Sequence, residues 1–261
     1  MSASKTNFKI WFQGATDRSV HSDYITRLEK HLKAALHPDI TFKFTGVNPP
    51  ASTTHALTEF RMARAFIRNA VQAEREGYDA VAINHFQDAG LHEAKSVVDI
   101  PVLGLGESTL TYSLTLGRKL GLVTINPVFI PWHEEQITRY GLGGRVVGVR
   151  AVNAKVSDFM EAFASKTAFD SLYPKFVREA EILLDAGADV IVPAGGLPML
   201  AFATRHGANI HGAPVVDGLA VLAKMTEMTL HLRQQGGLGI SRRSNYAKPP
   251  ALALQEFLEH G

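Results

Sequence analysis

A seven-residue block occurs twice in this chain. Gly77-Tyr78-Asp79-Ala80-Val81-Ala82-Ile83 is matched by Gly187-Ala188-Asp189-Val190-Ile191-Val192-Pro193, each after an amphipathic stretch. A second pair of blocks follows in register: Ile100-Pro101-Val102-Leu103-Gly104 after the first, Ala213-Pro214-Val215-Val216-Asp217 after the second. A duplicated helix-turn-strand unit whose strands are continuously apolar calls for parallel sheets covered on both faces. Strands are expected at 8–13, 40–44, 79–84, 101–105, 120–125, 145–152, 189–192 and 214–216, with helices between them. Ser22 is placed to cap a helix with Tyr24, Ile25, Leu28, Leu32 and Leu36 on one face, and Ser108 to cap a later one. Leu57, Phe60, Ala63, Ile67 and Val71 mark the buried face of another. The expected fold is α/β, with two pseudo-symmetric lobes, each a roughly four-stranded parallel sheet flanked by helices. Residues 1–110 plus 217–261 form the first lobe and 111–216 the second. Ligands of open parallel sheets sit beyond the carboxyl ends of the strands, so the segments after Ile83 and Val192 should face each other across an inter-lobe active-site cleft.

Composition narrows the chemistry. The 261 residues contain no cysteine, which removes disulfides, thiolate nucleophiles and cysteine metal sites. Net charge is only +2, without basic clusters, so no nucleic-acid partner is expected. The polar start of the chain and the broken apolar run 190–204 suggest neither a secretory signal nor a membrane span, and a cytoplasmic protein is expected. The histidines His92, His133, His206 and His211 match no compact metal motif, and no nucleotide fingerprint is complete; neither metal nor cofactor is expected.

Several further blocks are informative together: Asn84-His85-Phe86-Gln87-Asp88-Ala89-Gly90-Leu91 after the first strand of the repeat, Leu105-Gly106-Glu107, Leu116-Gly117-Arg118, Val123-Thr124, Ile130-Pro131, Tyr140-Gly141-Leu142, Val149-Arg150-Ala151 and Gly212 to Gly218. Over roughly residues 8 to 230 the chain resembles the aspartate/glutamate/hydantoin racemase superfamily, in its hydantoin and allantoin racemase branch. The resemblance implies one cysteine in each half-site, on opposite faces of a substrate α-carbon. Those positions match His85 and Gly195, so both cysteines are missing. The substrate-binding Asn-Pro-Asn-Thr loop of relatives is matched by Gln13-Gly14-Ala15-Thr16, of which Thr16 is retained.

With this matching, His85 is the candidate general acid/base, at an expected pKa of about 6.5, with Asp88 placed to orient it or to cap a loop. The plainer reading of His85 is a packing histidine. Gly195 and Gly196, with Leu197 opening a helix, can turn backbone N–H groups toward an oxyanion or form an ordinary strand-to-helix turn. Gln13, Thr16, Asn84, Phe86, Ser108, Thr109, Thr124 and Leu197 are candidate substrate contacts. The segment after Gln235, with Arg242 and Arg243, reads as a lid, a surface arm or a contact in a homo-oligomer. The expected function is a cofactor-independent enzyme acting on a small carbonyl or carboxylate compound by one-sided acid/base chemistry through an enolate, as a lyase, decarboxylase or isomerase. A hydrolase in which His85 activates water on a cyclic amide, and a small-molecule binding protein, are the alternatives.

Overall fold

Alternating apolar strands and amphipathic helices build the first half of the chain: β1 (Lys9–Gly14), α1 (Ser22–Ala35), β2 (Thr41–Thr45), α2 (Ala56–Arg75), β3 (Ala80–Asn84), α3 (Leu91–Val97), β4 (Val102–Gly104) and α4 (Leu105–Ser113). The structure is a computed structural model that describes residues 7–16, 18–51, 53–205 and 207–260. The four strands pair in parallel in the order β2-β1-β3-β4. The second half continues with β5 (Leu120–Thr124), α5 (Ile130–Arg139), β6 (Val146–Ala151), α6 (Val156–Ala164), α7 (Lys166–Asp185), β7 (Val190–Pro193), α8 (Gly196–Phe202), β8 (Asn209–Ile210) and β9 (Ala213–Pro214). Its parallel sheet has the order β6-β5-β7. Helix α9 (Gly218–Gly236) returns to pack on α1 and α4, and α10 (Ala251–His260) lays Leu254, Phe257 and Leu258 against the cluster built by α2 and α3. No helix among the described residues is long and apolar enough to cross a membrane.

The repeated block does the same structural job twice. Gly77 and Gly187 turn the chain at positive φ (+76° and +95°), where a side chain is disfavoured. The Asp79 carboxylate then accepts the Lys9 N–H at 2.8 Å, at the start of β1. Asp189 accepts the N–H groups of Arg118 and Lys119 at 2.8 and 3.0 Å, at the start of β5. Each aspartate thus ties its own strand to the central strand of its sheet.

Three expectations are corrected. The fourth strand of the second lobe shrinks to a single parallel bridge between Val215 and Ile191. Pro214 has no N–H for a ladder, and the chain before the bridge turns aside to pair β9 antiparallel with β8. Ser22 and Ser108 do not cap helices: Ser22 follows the N-cap His21, and Ser108 lies inside α4. On α2, Ile67 and Val71 are buried as expected, but the stripe centres on Met62, Phe66, Ala70 and Ala73, while Leu57 and Phe60 are 71% and 63% exposed.

Strand alternation decides what reaches the ends of the first sheet. Ile10, Phe12, Ala80 and Ala82 face the large cluster that includes α1 residues and the second lobe. Trp11, Val81 and Ile83 face the smaller cluster with α2 and α3. At the end of β3, successive residues Asn84 and His85 are therefore delivered to opposite faces, one toward α1 and the other toward α2.

Candidate active site

Beyond the carboxyl ends of β1, β3, β5 and β7 lies a cavity of about 470 Å³. Thr16, Asn84, His85 and Phe86 line it from the first lobe, and Thr124, Gly195, Gly196 and Leu197 from the second. The two ends of the internal repeat, His85 six residues after Asp79 and Gly195 six after Asp189, thus meet at one space. The remaining wall is mainly apolar, with Val20, Phe44, Met62, Phe129 and Met160.

His85 is held from α2. Its Nε2 lies 2.7 Å from Glu59 Oε2, and the two side chains are only 13% and 19% exposed. Its ring also stands edge-on to Phe66 at 5.8 Å. Burial by itself depresses a histidine pKa, but the Glu59 charge and hydrogen bond, with a smaller contribution from Asp88, outweigh it, so the His85 pKa is raised above 6.5. Glu59 shows the reciprocal behaviour: burial works to raise its pKa, yet His85 holds it below the ordinary value. Both shifts favour the imidazolium–carboxylate form of the pair, a correction to the unperturbed histidine expected from sequence. Nδ1 is the ring nitrogen outside this pair.

Asp88 does not orient His85. Its buried carboxylate accepts the N–H groups of Gly106 (3.0 Å) and Glu107 (2.6 Å), the Tyr140 hydroxyl (2.6 Å) and Gln136 Nε2 (3.1 Å). It is the cap that Ser108 was expected to provide, and Gln136 and Tyr140 join it to the second lobe. Gln136 Nε2 also donates to the Phe86 carbonyl at 2.5 Å. Burial pushes the Asp88 carboxyl up to about 7, against the donors, which favour its charged form. The Gly104-x-Gly106 pair exists for this contact: a Cβ on Gly104 would come 2.3 Å from Asp88 Oδ1, and one on Gly106 would come 2.2 Å from the Phe86 carbonyl oxygen.

At the end of β7, residue 195 brings no side chain to the cavity. Gly195 has φ +144° and ψ 149°, a conformation that L side chains rarely adopt, and a Cβ there would meet Pro198 Cδ at 3.1 Å. The N–H groups that open α8 precede any intrahelical acceptor. Thr124 closes the back of the cavity, donating to the Ala194 carbonyl at 3.1 Å and pairing with His133 Nε2 at 3.0 Å. His133 is fully buried, and burial lowers its pKa to about 4, so it is a neutral packing element.

Three expected contacts do not reach the cavity. Gln13 is turned to the other face of β1, where its Oε1 accepts Trp11 Nε1 and Asn69 Nδ2. Ser108 and Thr109 are buried in α4, with the Thr109 hydroxyl donating to the Leu105 carbonyl of the preceding turn. The other histidines are dispersed: His92 pairs with the Tyr246 hydroxyl at 2.9 Å, His211 pairs with Glu181 on the surface, and His206 lies outside the described residues. The C-terminal arm is laid along α3, where Arg242 bonds the Lys95 and Val98 carbonyls and Asp99. That arginine is engaged away from the cavity. Glu59 and Tyr24, which both line the cavity, were missed from sequence. Glu59 had a signal, since it precedes Met62 and Phe66 at helical spacing on the buried stripe of α2.

A family profile described as Asp/Glu/Hydantoin racemase matches residues 22–226. The chain belongs to that family. It is 28% identical over 200 residues to the hydantoin racemase of Rhizobium meliloti, covering 77% of this chain and 78% of the relative. Its fold is that of the allantoin racemase from Klebsiella pneumoniae, with a TM-score of 0.77, 20% identity, and 93% and 94% of the two chains covered. A liganded variant of arylmalonate decarboxylase shares the fold more distantly, with a TM-score of 0.56, 17% identity, and 92% and 97% covered. Family membership places this chain in a superfamily of racemases.

Proposed function

We propose that this protein is a cofactor-independent lyase of the racemase family that decarboxylates a small carbon acid through an enolate, protonating it on one face. The observation that carries this reading is the asymmetry of the cavity: a histidine–carboxylate pair at one end of the repeat and, at the other, a glycine whose backbone disfavours any side chain. Racemisation needs an acid and a base on opposite faces of one carbon. Decarboxylation needs one proton donor, and the raised pKa of His85 favours its donor form. The carbon–carboxylate bond breaks, its electron pair passes into the enolate, carbon dioxide leaves, and His85 delivers its proton to the α-carbon while Glu59 holds the ring. Backbone N–H groups of the Gly195-Gly196-Leu197 turn face the oxyanion. That a structural neighbour is a decarboxylase supports the capacity of this fold for the reaction. Isomerisation on one face remains the related alternative within the same chemistry.

The test is carbon dioxide release from 2-alkyl and 2-aryl malonic acids by chelator-treated protein, set beside racemisation of hydantoins and hydrolysis of cyclic amides. Metal-independent decarboxylation with no change in hydantoin rotation is the expected result. Ring opening of a cyclic amide would replace the lyase with the hydrolase reading, in which neutral His85 activates water.

A further inference from the structure

Tyr24 enters the cavity from α1, on the face of the first sheet opposite the His85–Glu59 pair. Its residue is 94% buried in the sense that only 6% remains exposed, and its ring stacks on Phe163 with centroids 5.9 Å apart. Its hydroxyl lies beside the second half-site: a Cβ on Gly196 would come within 3.0 Å of it. The Asn84 side chain hydrogen-bonds this oxygen, and in doing so opposes the upward shift that burial imposes on the phenol. Asn84 Oδ1, in a residue only 6% exposed, has no hydrogen-bond partner, so the amide meets the phenol through Nδ2 and the Tyr24 O–H proton is left to donate elsewhere. A buried acceptor without a partner costs stability unless a ligand satisfies it. A free donor and an unsatisfied acceptor therefore stand together on the cavity wall, between the two half-sites.

We propose that Tyr24 is a further catalytic residue and that, with Asn84, it binds the mono-protonated enediolate of a carboxylic acid. The Tyr24 O–H donates to the charged oxygen, and the Asn84 Oδ1 accepts from the protonated one. Asn84 is in addition the positioning residue for Tyr24. The pair supplies from a side chain what the residue at 195 cannot, and it acts on the oxygens of the intermediate and not on its α-carbon. This inference rests on the enolate reading above and specifies the class of substrate: the group that remains after decarboxylation must itself be a carboxyl.

A phosphonate monoanion carries the same pairing of one P–OH and charged P–O oxygens, so benzylphosphonate is the probe. Calorimetric titration at mildly acidic pH is expected to show binding in the intact protein and roughly 10-fold weaker binding in Tyr24→Phe, which keeps the ring on Phe163. With ¹³Cζ-tyrosine labelling, the one resonance lost in Tyr24→Phe should move when the phosphonate is added. An equal affinity in Tyr24→Phe, an immobile Tyr24 resonance, or no binding to the intact protein each overturns the proposal. No proton is transferred in this titration, so its outcome is separate from the fate of the decarboxylation reading. A Tyr24-dependent phosphonate site in a protein that releases no carbon dioxide would count against the reaction and for the site.

Discussion

The ends of β3 and β7 are built on the same plan and finished differently. Both follow a positive-φ glycine and an aspartate that ties the strand to its sheet, and both open onto one cavity. At the first end, residue 85 is an ionisable ring held by a carboxylate from α2. At the second, residue 195 is a glycine in a backbone conformation that side chains rarely adopt. The duplicated framework sets where a group can stand, and the residue six positions beyond each aspartate differs in whether it carries an ionisable side chain. On the proposed reading, that difference turns a symmetric scaffold to one-sided chemistry.

Breaking the active end should have the largest effect. His85→Gln is expected to cut turnover by roughly 10²- to 10⁴-fold with the fold retained, as steady-state kinetics beside circular dichroism would show. Filling the inert end should not restore symmetry. Gly195→Cys is expected to lower stability by about 1–3 kcal/mol in chemical denaturation, because the new side chain is forced into a strained backbone against Pro198. Even paired with His85→Cys it should produce no efficient racemase; hydantoin racemisation at ordinary enzymatic rates in the double variant would show that the backbone at 195 is no barrier.

The Glu59 contact sharpens the comparison further. A histidine acting as an acid works below its own pKa, so activity should fall as pH rises through the raised value of His85. Glu59→Gln should move that alkaline limb to lower pH and reduce turnover by about 10-fold, the scale of one hydrogen bond to a charged group. The same pair contributes to stability. For His85 the contribution is full below the pKa of an unfolded histidine and is lost as pH rises through the raised folded value. For Glu59 it is present above the unfolded carboxyl pKa and is lost as pH falls through the lowered folded value. Melting temperatures of the intact protein and Glu59→Gln should therefore differ most between those limits and converge outside them.

The smallest effect tests the shared framework. Asp79→Ala and Asp189→Ala each remove a partner of backbone N–H groups at a strand start, and each should cost about 1 kcal/mol. Unequal losses of several kcal/mol would mean that the two ends are not structurally equivalent.

Much of this was legible in the chain because the repeat carries long-range information in local form. Gly77-x-Asp79 and Gly187-x-Asp189 announce two equivalent strands, and counting onward from them reaches His85 and Gly195 without coordinates. What escaped has a common cause. Glu59, Tyr24 and the cap formed by Asp88 depend on which helix faces which strand end, and no short pattern encodes that. Tyr24 shares a helical face with Leu28 and Leu32, so it read as core, and only the position of α1 beside Gly196 reveals its hydroxyl as part of the cavity. Gln13 misled for the converse reason: it sits in a loop-like motif by sequence, but here β1 extends through Gly14 and strand alternation turns it away. The reduced fourth strand of the second lobe follows from Pro214, whose missing N–H was visible in the sequence and was outweighed by the match of the flanking block.

The one-sidedness of the cavity is most directly examined by the stereochemistry of deuterium uptake. A prochiral 2-methyl-2-arylmalonic acid, turned over in D₂O, is resolved by chiral chromatography with mass detection. The account predicts a monocarboxylic acid of a single configuration carrying one deuterium at the α-carbon, with no further exchange on prolonged incubation. A racemic product, or continued exchange that interconverts the two enantiomers, would contradict it, because it would require a second proton carrier on the side where Gly195 stands.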